Sequence, residues 1–160
     1  MKRKIEAILF DFDGTLANTL PLIFDSFRGL FREFKNQEIT PAEVESMFGP
    51  TEIGIIKKQF KEKIPEVIEK FYKTYEEKHI DFQHKEEEFI DLLEFIKSKG
   101  LKIGIVTGKG RDTLNISLRL LKMDKYFDVL ISGDDVQDPK PSPEGIYKAL
   151  EKINVLPEKT

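Results

Sequence analysis

The sequence lacks cysteine altogether, which excludes disulfide bonds and thiolate metal sites within its 160 residues. It also lacks a basic excess, since 26 Lys and Arg stand against 29 Asp and Glu for a net charge of -3. This balance argues against a nucleic-acid partner. Apolar runs are short: the one behind Lys2-Arg3-Lys4 is interrupted by Glu6 and stops before Asp11. Because neither a signal peptide nor a membrane span fits such runs, we expect a cytoplasmic protein without a membrane partner.

The overall composition is that of a soluble globular protein. Hydrophobic residues make up 39% of the sequence and charged residues 34%. The length is sufficient for one ordinary domain, or for a small core that carries an inserted subdomain.

The most informative segment places two acids, Asp11 and Asp13, two residues apart and directly before Gly14. The mainly apolar run from Ile5 to Phe10 precedes them and predicts a buried strand. Ligands of open α/β sheets bind where such strands end, and Gly14 allows a tight turn close to a ligand. An acid pair at this point can hold a divalent cation and act as nucleophile and proton donor. The alternative is an ordinary Asp-Gly turn after a strand.

Residues 18–80 show helical periodicity and no strand-like alternation. A first helix is predicted from apolar residues at spacings of three and four: Leu20, Ile23, Phe24, Phe27, Leu30, Phe31 and Phe34. Thr40 and Glu43 form a capping-box pattern that starts a second helix, and two more helices are predicted from Glu52 and from Pro65. The pattern therefore predicts an all-helical insert.

Strand and helix alternate in the rest of the sequence. Two apolar runs, Leu101 to Val106 and Phe127 to Ile131, predict further strands. Amphipathic helices are predicted from Glu88, from Asp112 and from Ser142, one before or after each strand. This order predicts an α/β fold with a parallel sheet and right-handed crossovers.

Polar residues follow all three predicted strands. Asp11 and Asp13 follow the first, Thr107 and Gly108 the second, and Lys140 lies in the loop beyond the third. A cation, a hydroxyl and backbone N–H groups can hold phosphate oxygens, while an aspartate attacks phosphorus. We therefore predict a site for phosphoryl transfer at this edge of the sheet.

Three segments resemble the motifs of the haloacid dehalogenase superfamily of phosphotransferases. They are Phe10-Asp11-Phe12-Asp13-Gly14-Thr15-Leu16, Val106-Thr107-Gly108 and Lys140-Pro141-Ser142-Pro143-Glu144. The resemblance covers essentially the whole sequence and is greatest to members with an α-helical cap that are phosphoglycolate-phosphatase-like or pyrophosphatase-like. It implies a Rossmann-like parallel sheet flanked by helices, formed by residues 1–17 and 81–160, with residues 18–80 as the inserted cap.

The resemblance also implies a role for each site residue. Asp11 is the nucleophile that forms an aspartyl-phosphate, and Asp13 donates a proton to the leaving group and then activates water. Both acids contribute to binding Mg2+, the expected cofactor. Thr107 and Gly108 bind the phosphoryl group, and Lys140 balances the charge on Asp11 and the phosphate.

The fourth motif of the superfamily, an acidic Gly-Asp stretch after a further strand, has no counterpart before Thr160. Gly133-Asp134-Asp135 looks similar but precedes Lys140, whereas the family's motif follows that lysine. We therefore expect a recognisable but impaired site that lacks one carboxylate for Mg2+. We also expect the first strand to be an exposed edge through which two chains could associate.

Several polar residues have simpler interpretations than a role in the site. We predict that they are loop or solvated residues: Asp134 and Asp135, His79 and His84, and a charged turn at Glu86-Glu87-Glu88. Thr107 could instead cap a helix, and Lys140 could be a solvated charge.

The leading functional hypothesis is a Mg2+-dependent phosphatase of a small phosphorylated metabolite. A phosphosugar mutase would use the same residues but return the phosphoryl group to the substrate. A non-catalytic, truncated binding or assembly module is the alternative from a different class. The loop from Phe48 to Thr51 is expected to contact the leaving group, whose identity the sequence leaves open.

Overall fold

The computed structural model describes residues 4–79 and 86–160. Within these ranges the sheet has three parallel strands in the order β1-β2-β3: β1 (Ala7–Phe10), β2 (Lys102–Val106) and β3 (Val129–Ile131). The predicted parallel α/β architecture is confirmed, although each strand begins one or two residues later than the apolar runs suggest. Just before β3, Asp128 contacts β2 twice: its carboxylate accepts the N–H of Ile103 at 2.7 Å, and its own N–H donates to the carbonyl of Ile103 at 2.7 Å.

The two faces of β2 pack against different layers of helix. Ile103 and Ile105 are fully buried on one face. Gly104 lies between them, and a Cβ there would be 2.6 Å from side-chain atoms of both Leu9 and Val129. The centre of the sheet therefore needs glycine, because the side chains of the neighbouring strands fill the space that a larger residue would occupy.

In the described part of the chain, three helices flank the sheet: α5 (Glu86–Ser98), α6 (Arg111–Leu120) and α7 (Glu144–Ile153). Helices α5 and α6 bury apolar residues against the face of Ile103 and Ile105, namely Leu93, Ile96, Leu114 and Leu118. Helix α7 buries Ala149, Leu150 and Ile153 on the opposite face. The result is a helix–sheet–helix sandwich, as the alternation of strand and helix predicted.

The segment between β1 and α5 is helical as far as His79. It forms α1 (Leu20–Lys35), α2 (Pro41–Glu45), α3 (Glu52–Gln59) and α4 (Ile64–His79). These helices share a core that is separate from the two layers around the sheet and rich in aromatic residues: Phe27, Phe31, Phe60, Phe71 and Tyr75. The division into residues 1–17 and 81–160 with an insert of residues 18–80 stays a prediction, because its second boundary lies outside the described residues.

Local signals explain where the helices of the insert begin. Thr40 Oγ1 accepts the N–H of Glu43, and the Glu43 carboxylate accepts the N–H of Thr40, which completes the predicted capping box of α2. Thr51 Oγ1 likewise accepts the N–H of Gly54 at the start of α3.

Two predictions about polar residues are wrong. His79 is buried rather than solvated, and its Nε2 lies 3.1 Å from Ser117 Oγ, because α4 packs its last turn against α6. The predicted charged turn is helical, since α5 already begins at Glu86. His84 lies outside the described residues.

Strand β1 forms one edge of the described sheet. It pairs with β2, and directly before it the N–H of Glu6 donates to the carbonyl of Lys159 at 2.8 Å. Self-association through β1 therefore stays a prediction. Within residues 4–79 and 86–160, no helix combines the length and the apolar character needed to cross a bilayer.

Candidate active site

Asp11 and Asp13 lie immediately beyond the carboxyl end of β1. Phe12 between them is fully buried, while both acids line a cavity. Gly14 then adopts a left-handed conformation with φ 75°, and its N–H donates to the carbonyl of Ala17 at 2.8 Å. The alternation at the strand end thus sends one aromatic side chain into the core and two carboxylates towards the cavity.

The cavity has a volume of about 250 Å³ and lies between the sheet edge and the helical insert. All the residues predicted for the site line it: Asp11, Asp13, Thr107, Gly108 and Lys140. The carboxyl ends of parallel strands meet at one edge of a sheet, so residues far apart in sequence converge there.

Lys140 contacts Asp11 directly. Its Nζ lies 3.0 Å from Asp11 Oδ1, and the two side chains are 45% and 43% exposed. An ion pair this exposed contributes only about 0–1 kcal/mol to stability. The pair therefore adds little to folding and can exchange for contacts with an anionic ligand at little energetic cost.

Thr107 follows β2 directly and is buried. Its N–H donates to the carbonyl of Ile131 at 3.0 Å, and its Oγ1 accepts the N–H of Lys109 at 3.2 Å. The hydroxyl hydrogen is therefore available to an acceptor in the cavity. The alternative role of Thr107 as a helix cap is wrong, because α6 begins at Arg111 with Gly110 at its cap position.

Lys109 was not among the predicted site residues, yet it is the most buried cation beside them. Its side chain has no exposed surface, and its Nζ lies 3.1 Å from Asp13 Oδ1 and 3.3 Å from Glu52 Oε1. The ammonium also lies 4.7 Å from the centre of the Tyr75 ring. The sequence signal that could have indicated Lys109 as a site residue was its position, two residues beyond Thr107 at a strand end.

Glu52 is the second residue that sequence reasoning missed. It belongs to the first turn of α3 and is almost fully buried. Its carboxylate accepts the N–H of Gly110 at 2.7 Å and the hydroxyl of Thr113 at 2.8 Å, in addition to its contact with Lys109. In sequence it looks like an ordinary acid at a helix start, and no local pattern distinguishes it.

These contacts keep Lys109 and Glu52 charged. Burial opposes the charge on Lys109, but Tyr75, Asp13 and Glu52 outweigh it and raise the pKa of the ammonium group. Burial also opposes the charge on Glu52, but Lys109 and the hydrogen bonds from Gly110 and Thr113 leave its pKa lowered.

The insert provides an apolar wall opposite the polar residues. Leu20, Ile23 and Phe27 of α1 line the cavity on this side. Phe48 lines it too, is 41% exposed, and stacks on Phe24 with a distance of 5.9 Å between ring centres. This wall offers contact area but no cation to the part of a ligand that extends towards the insert.

Asp134 and Asp135 hold the start of α6 in place. Asp134 Oδ2 accepts the N–H of Arg111 at 2.7 Å, and Asp135 accepts the N–H of Ser132 at 2.7 Å and pairs with the Arg111 guanidinium. Such contacts agree with the predicted loop role of these two acids.

The donor set suits a hard cation. Mg2+ prefers oxygen ligands, keeps several waters and can be held by one or two carboxylates together with substrate phosphate. Asp11 offers such a carboxylate in the cavity, and Asp13 beside it adds a backbone carbonyl oxygen. No larger group of potential ligand side chains lies together in the part of the chain that the structure describes. The pair therefore fits a Mg2+ ion that keeps water and phosphate oxygens as its remaining ligands.

Comparison with known proteins identifies the family. A family model for haloacid dehalogenase-like hydrolases matches residues 8–160. The pyrophosphatase PpaX of Anoxybacillus flavithermus (strain DSM 21510 / WK1) is 39% identical over 157 residues, which cover 98% of this chain and 73% of that protein. The chain therefore belongs to the haloacid dehalogenase-like hydrolases, and the predicted superfamily is confirmed.

Solved structures support the same fold. CbbY from Rhodobacter sphaeroides in complex with phosphate superposes with a TM-score of 0.81 at 23% identity, covering 97% of this chain and 75% of that chain. The β-phosphoglucomutase of Clostridium difficile gives a TM-score of 0.76 at 22% identity, covering 97% and 74%. At this level of identity, the similarity establishes the fold.

Proposed function

We propose that this hydrolase is a Mg2+-dependent, cytoplasmic phosphatase that acts on a small phosphorylated metabolite through an aspartyl-phosphate on Asp11. The observation that carries the proposal is the convergence of Asp11, Asp13, Thr107 and Lys140 on one cavity, with Lys140 in contact with Asp11. Family membership supports hydrolysis, and the residue types support phosphoryl transfer.

Asp11 is the nucleophile in this proposal. One carboxylate oxygen forms a bond to phosphorus while the bond between phosphorus and the leaving oxygen breaks. Lys140 neutralises negative charge beside Asp11, and the Thr107 hydroxyl donates to a phosphoryl oxygen. Mg2+, held by the Asp11 carboxylate and the backbone carbonyl of Asp13, would supply further charge neutralisation and leave the Asp13 carboxylate free for proton transfer.

Asp13 moves the protons. In the first step it donates a proton to the leaving oxygen, which departs as a neutral alcohol. In the second step its carboxylate takes a proton from water, whose oxygen attacks phosphorus and releases Asp11 and inorganic phosphate. Because Lys109 and the Thr19 hydroxyl hold Asp13 Oδ1, we assign these proton transfers to Oδ2.

Hydrolysis of p-nitrophenyl phosphate with and without Mg2+ tests the proposal. We expect Mg2+-dependent release of p-nitrophenol that Asp11→Asn reduces to the level without enzyme. Asp91→Asn is the matched control, because it makes the same change in charge at an exposed residue of α5. This control should keep the wild-type rate.

This assay and a second one with a hexose phosphate separate the alternatives. Wild-type turnover no higher than that of Asp11→Asn would contradict the phosphatase and favour a non-catalytic binding module. Isomerisation of a hexose phosphate in excess of its hydrolysis would instead favour a mutase.

A further inference from the structure

Lys109 connects two parts of the molecule that are distant in sequence. It follows β2, whereas its partner Glu52 lies on α3 of the insert and its partner Asp13 follows β1. The ammonium group is completely buried between the two carboxylates and above the Tyr75 ring. A cation without solvent contact depends on these partners for its position, because water cannot replace them.

Glu52 is itself held rigidly. The N–H of Gly110 and the hydroxyl of Thr113 donate to different oxygens of its carboxylate, so that its plane is fixed. Gly110 is required for this approach, since a Cβ there would lie 2.8 Å from Glu52 Oε2. The backbone that leads from Thr107 into α6 is thus shaped around a side chain of the insert.

This arrangement orients the carboxylate of Asp13. Its Oδ1 is contacted by the Lys109 ammonium and by the hydroxyl of Thr19, the residue before α1. With one oxygen held from two sides, the carboxylate has a defined orientation, which leaves Oδ2 for proton transfer. Acid–base catalysis depends on such orientation, because a proton can be transferred only over hydrogen-bond distance.

Two exposed polar contacts also join the insert to the core, between α4 and α6. Arg119 and Glu76 pair at 2.6 Å with side chains that are 60% and 47% exposed, and Tyr72 donates to Asp112 at 3.0 Å. These contacts hold the insert against the core without touching Lys109. They provide a comparison for the buried network, because they cross the same interface.

We propose that Glu52 is a positioning residue for Asp13: it holds Lys109 against Asp13 Oδ1, so that the acid–base side chain is oriented when the helical insert packs on α6. This role rests on the proposed function of Asp13 in proton transfer. It means that α3 of the insert contributes to the chemistry through Lys109 as well as enclosing the cavity.

The test compares Glu52→Gln with Glu76→Gln. Glutamine at position 52 keeps the shape and one acceptor oxygen but removes the charge that Lys109 needs. With p-nitrophenyl phosphate and Mg2+, we expect kcat to fall about 10- to 100-fold, since misplacing a reacting group by about 1 Å can cost that much. KM should change less than about threefold, because Glu52 does not bind the phosphate. Glu76→Gln should leave both constants unchanged.

A second measurement does not depend on turnover. In the Mg2+-free protein, the 13Cγ resonance of Asp13, assigned by its loss in Asp13→Asn, should shift in Glu52→Gln and stay in place in Glu76→Gln. If wild-type protein shows no turnover, the proposed function fails, and this resonance alone decides whether Glu52 positions Asp13.

Two results would overturn the inference. One is an Asp13 resonance and a kcat that are unchanged in Glu52→Gln. The other is an equal loss of kcat in Glu52→Gln and Glu76→Gln, which would mean that both residues only stabilise the interface. Should Glu52→Gln fail to fold, Glu52→Asp, which keeps the charge but shortens its reach, is judged by the same kcat, KM and resonance criteria.

Discussion

Replacing Lys109 by methionine removes a buried charge while keeping a side chain of similar length. In the wild type the ammonium lies within 3.3 Å of Glu52 and Asp13 and has no exposed surface. Removing one partner of a buried ion pair costs about 3–5 kcal/mol, because the other charge stays buried without compensation. Asp13 is 18% exposed and can gain water, whereas Glu52 keeps two hydrogen bonds. We therefore expect the lower end of that range, about 3 kcal/mol.

The destabilisation caused by Lys109→Met should depend on pH, because it changes the pKa of Glu52. In the wild type its pKa is lowered, because Lys109 and hydrogen bonds outweigh burial. A carboxyl with a lowered folded pKa contributes stability above its unfolded value of about 4.3 and loses it as the pH falls through the folded pKa. In Lys109→Met no cation offsets the burial of Glu52, so we expect its folded-state pKa to rise above the unfolded value. Folding of the variant then takes up a proton at pH values between the two. The destabilisation should therefore be smaller at about pH 5 than at about pH 8.

Urea unfolding followed by circular dichroism measures this difference at both pH values. Lys70→Met is the matched control, since Lys70 pairs with Glu33 at 2.8 Å on the surface, where both side chains are more than 40% exposed. An exposed pair contributes about 0–1 kcal/mol, so this control should change little. The reasoning is refuted if Lys109→Met loses no more unfolding free energy than Lys70→Met. It is also refuted if Lys109→Met loses more at about pH 5 than at about pH 8.

Two further changes test the packing of the sheet and of the cavity wall. Gly104→Ala should destabilise the protein by about 1–3 kcal/mol in urea unfolding, because its Cβ would meet Leu9 and Val129 at 2.6 Å; an unchanged midpoint would contradict the close packing. Phe48→Ala should raise KM for p-nitrophenyl phosphate several-fold with little change in kcat, because Phe48 lines the cavity near the proposed leaving group. Phe95→Ala, an equally large change at an exposed position on α5, should not affect KM, and equal effects of the two would count against a specific contact.

Local patterns predicted the features whose causes are local. The capping box at Thr40 and Glu43, the apolar runs of the three strands and the acid pair after β1 all depend on residues near one another in sequence. The convergence of Asp11 with Lys140 was also predictable, because parallel strands end at one edge of a sheet. The prediction for His79 was wrong because its burial depends on contact with α6, where its partner Ser117 lies 38 residues further along the chain.

The sequence by itself determined the alternation of strand and helix, the helical character of the insert and the acids, hydroxyl and cation at the strand ends. Hydrophobic periodicity, helix-capping residues and turn residues depend on only a few neighbouring positions, so they can be recognised in the sequence. Only the tertiary structure decided that Glu52 reaches Lys109, 57 residues away, and that Lys109 contacts Asp13. The physical reason is that burial gives a charge its effect, and burial arises only when the insert and the core pack together.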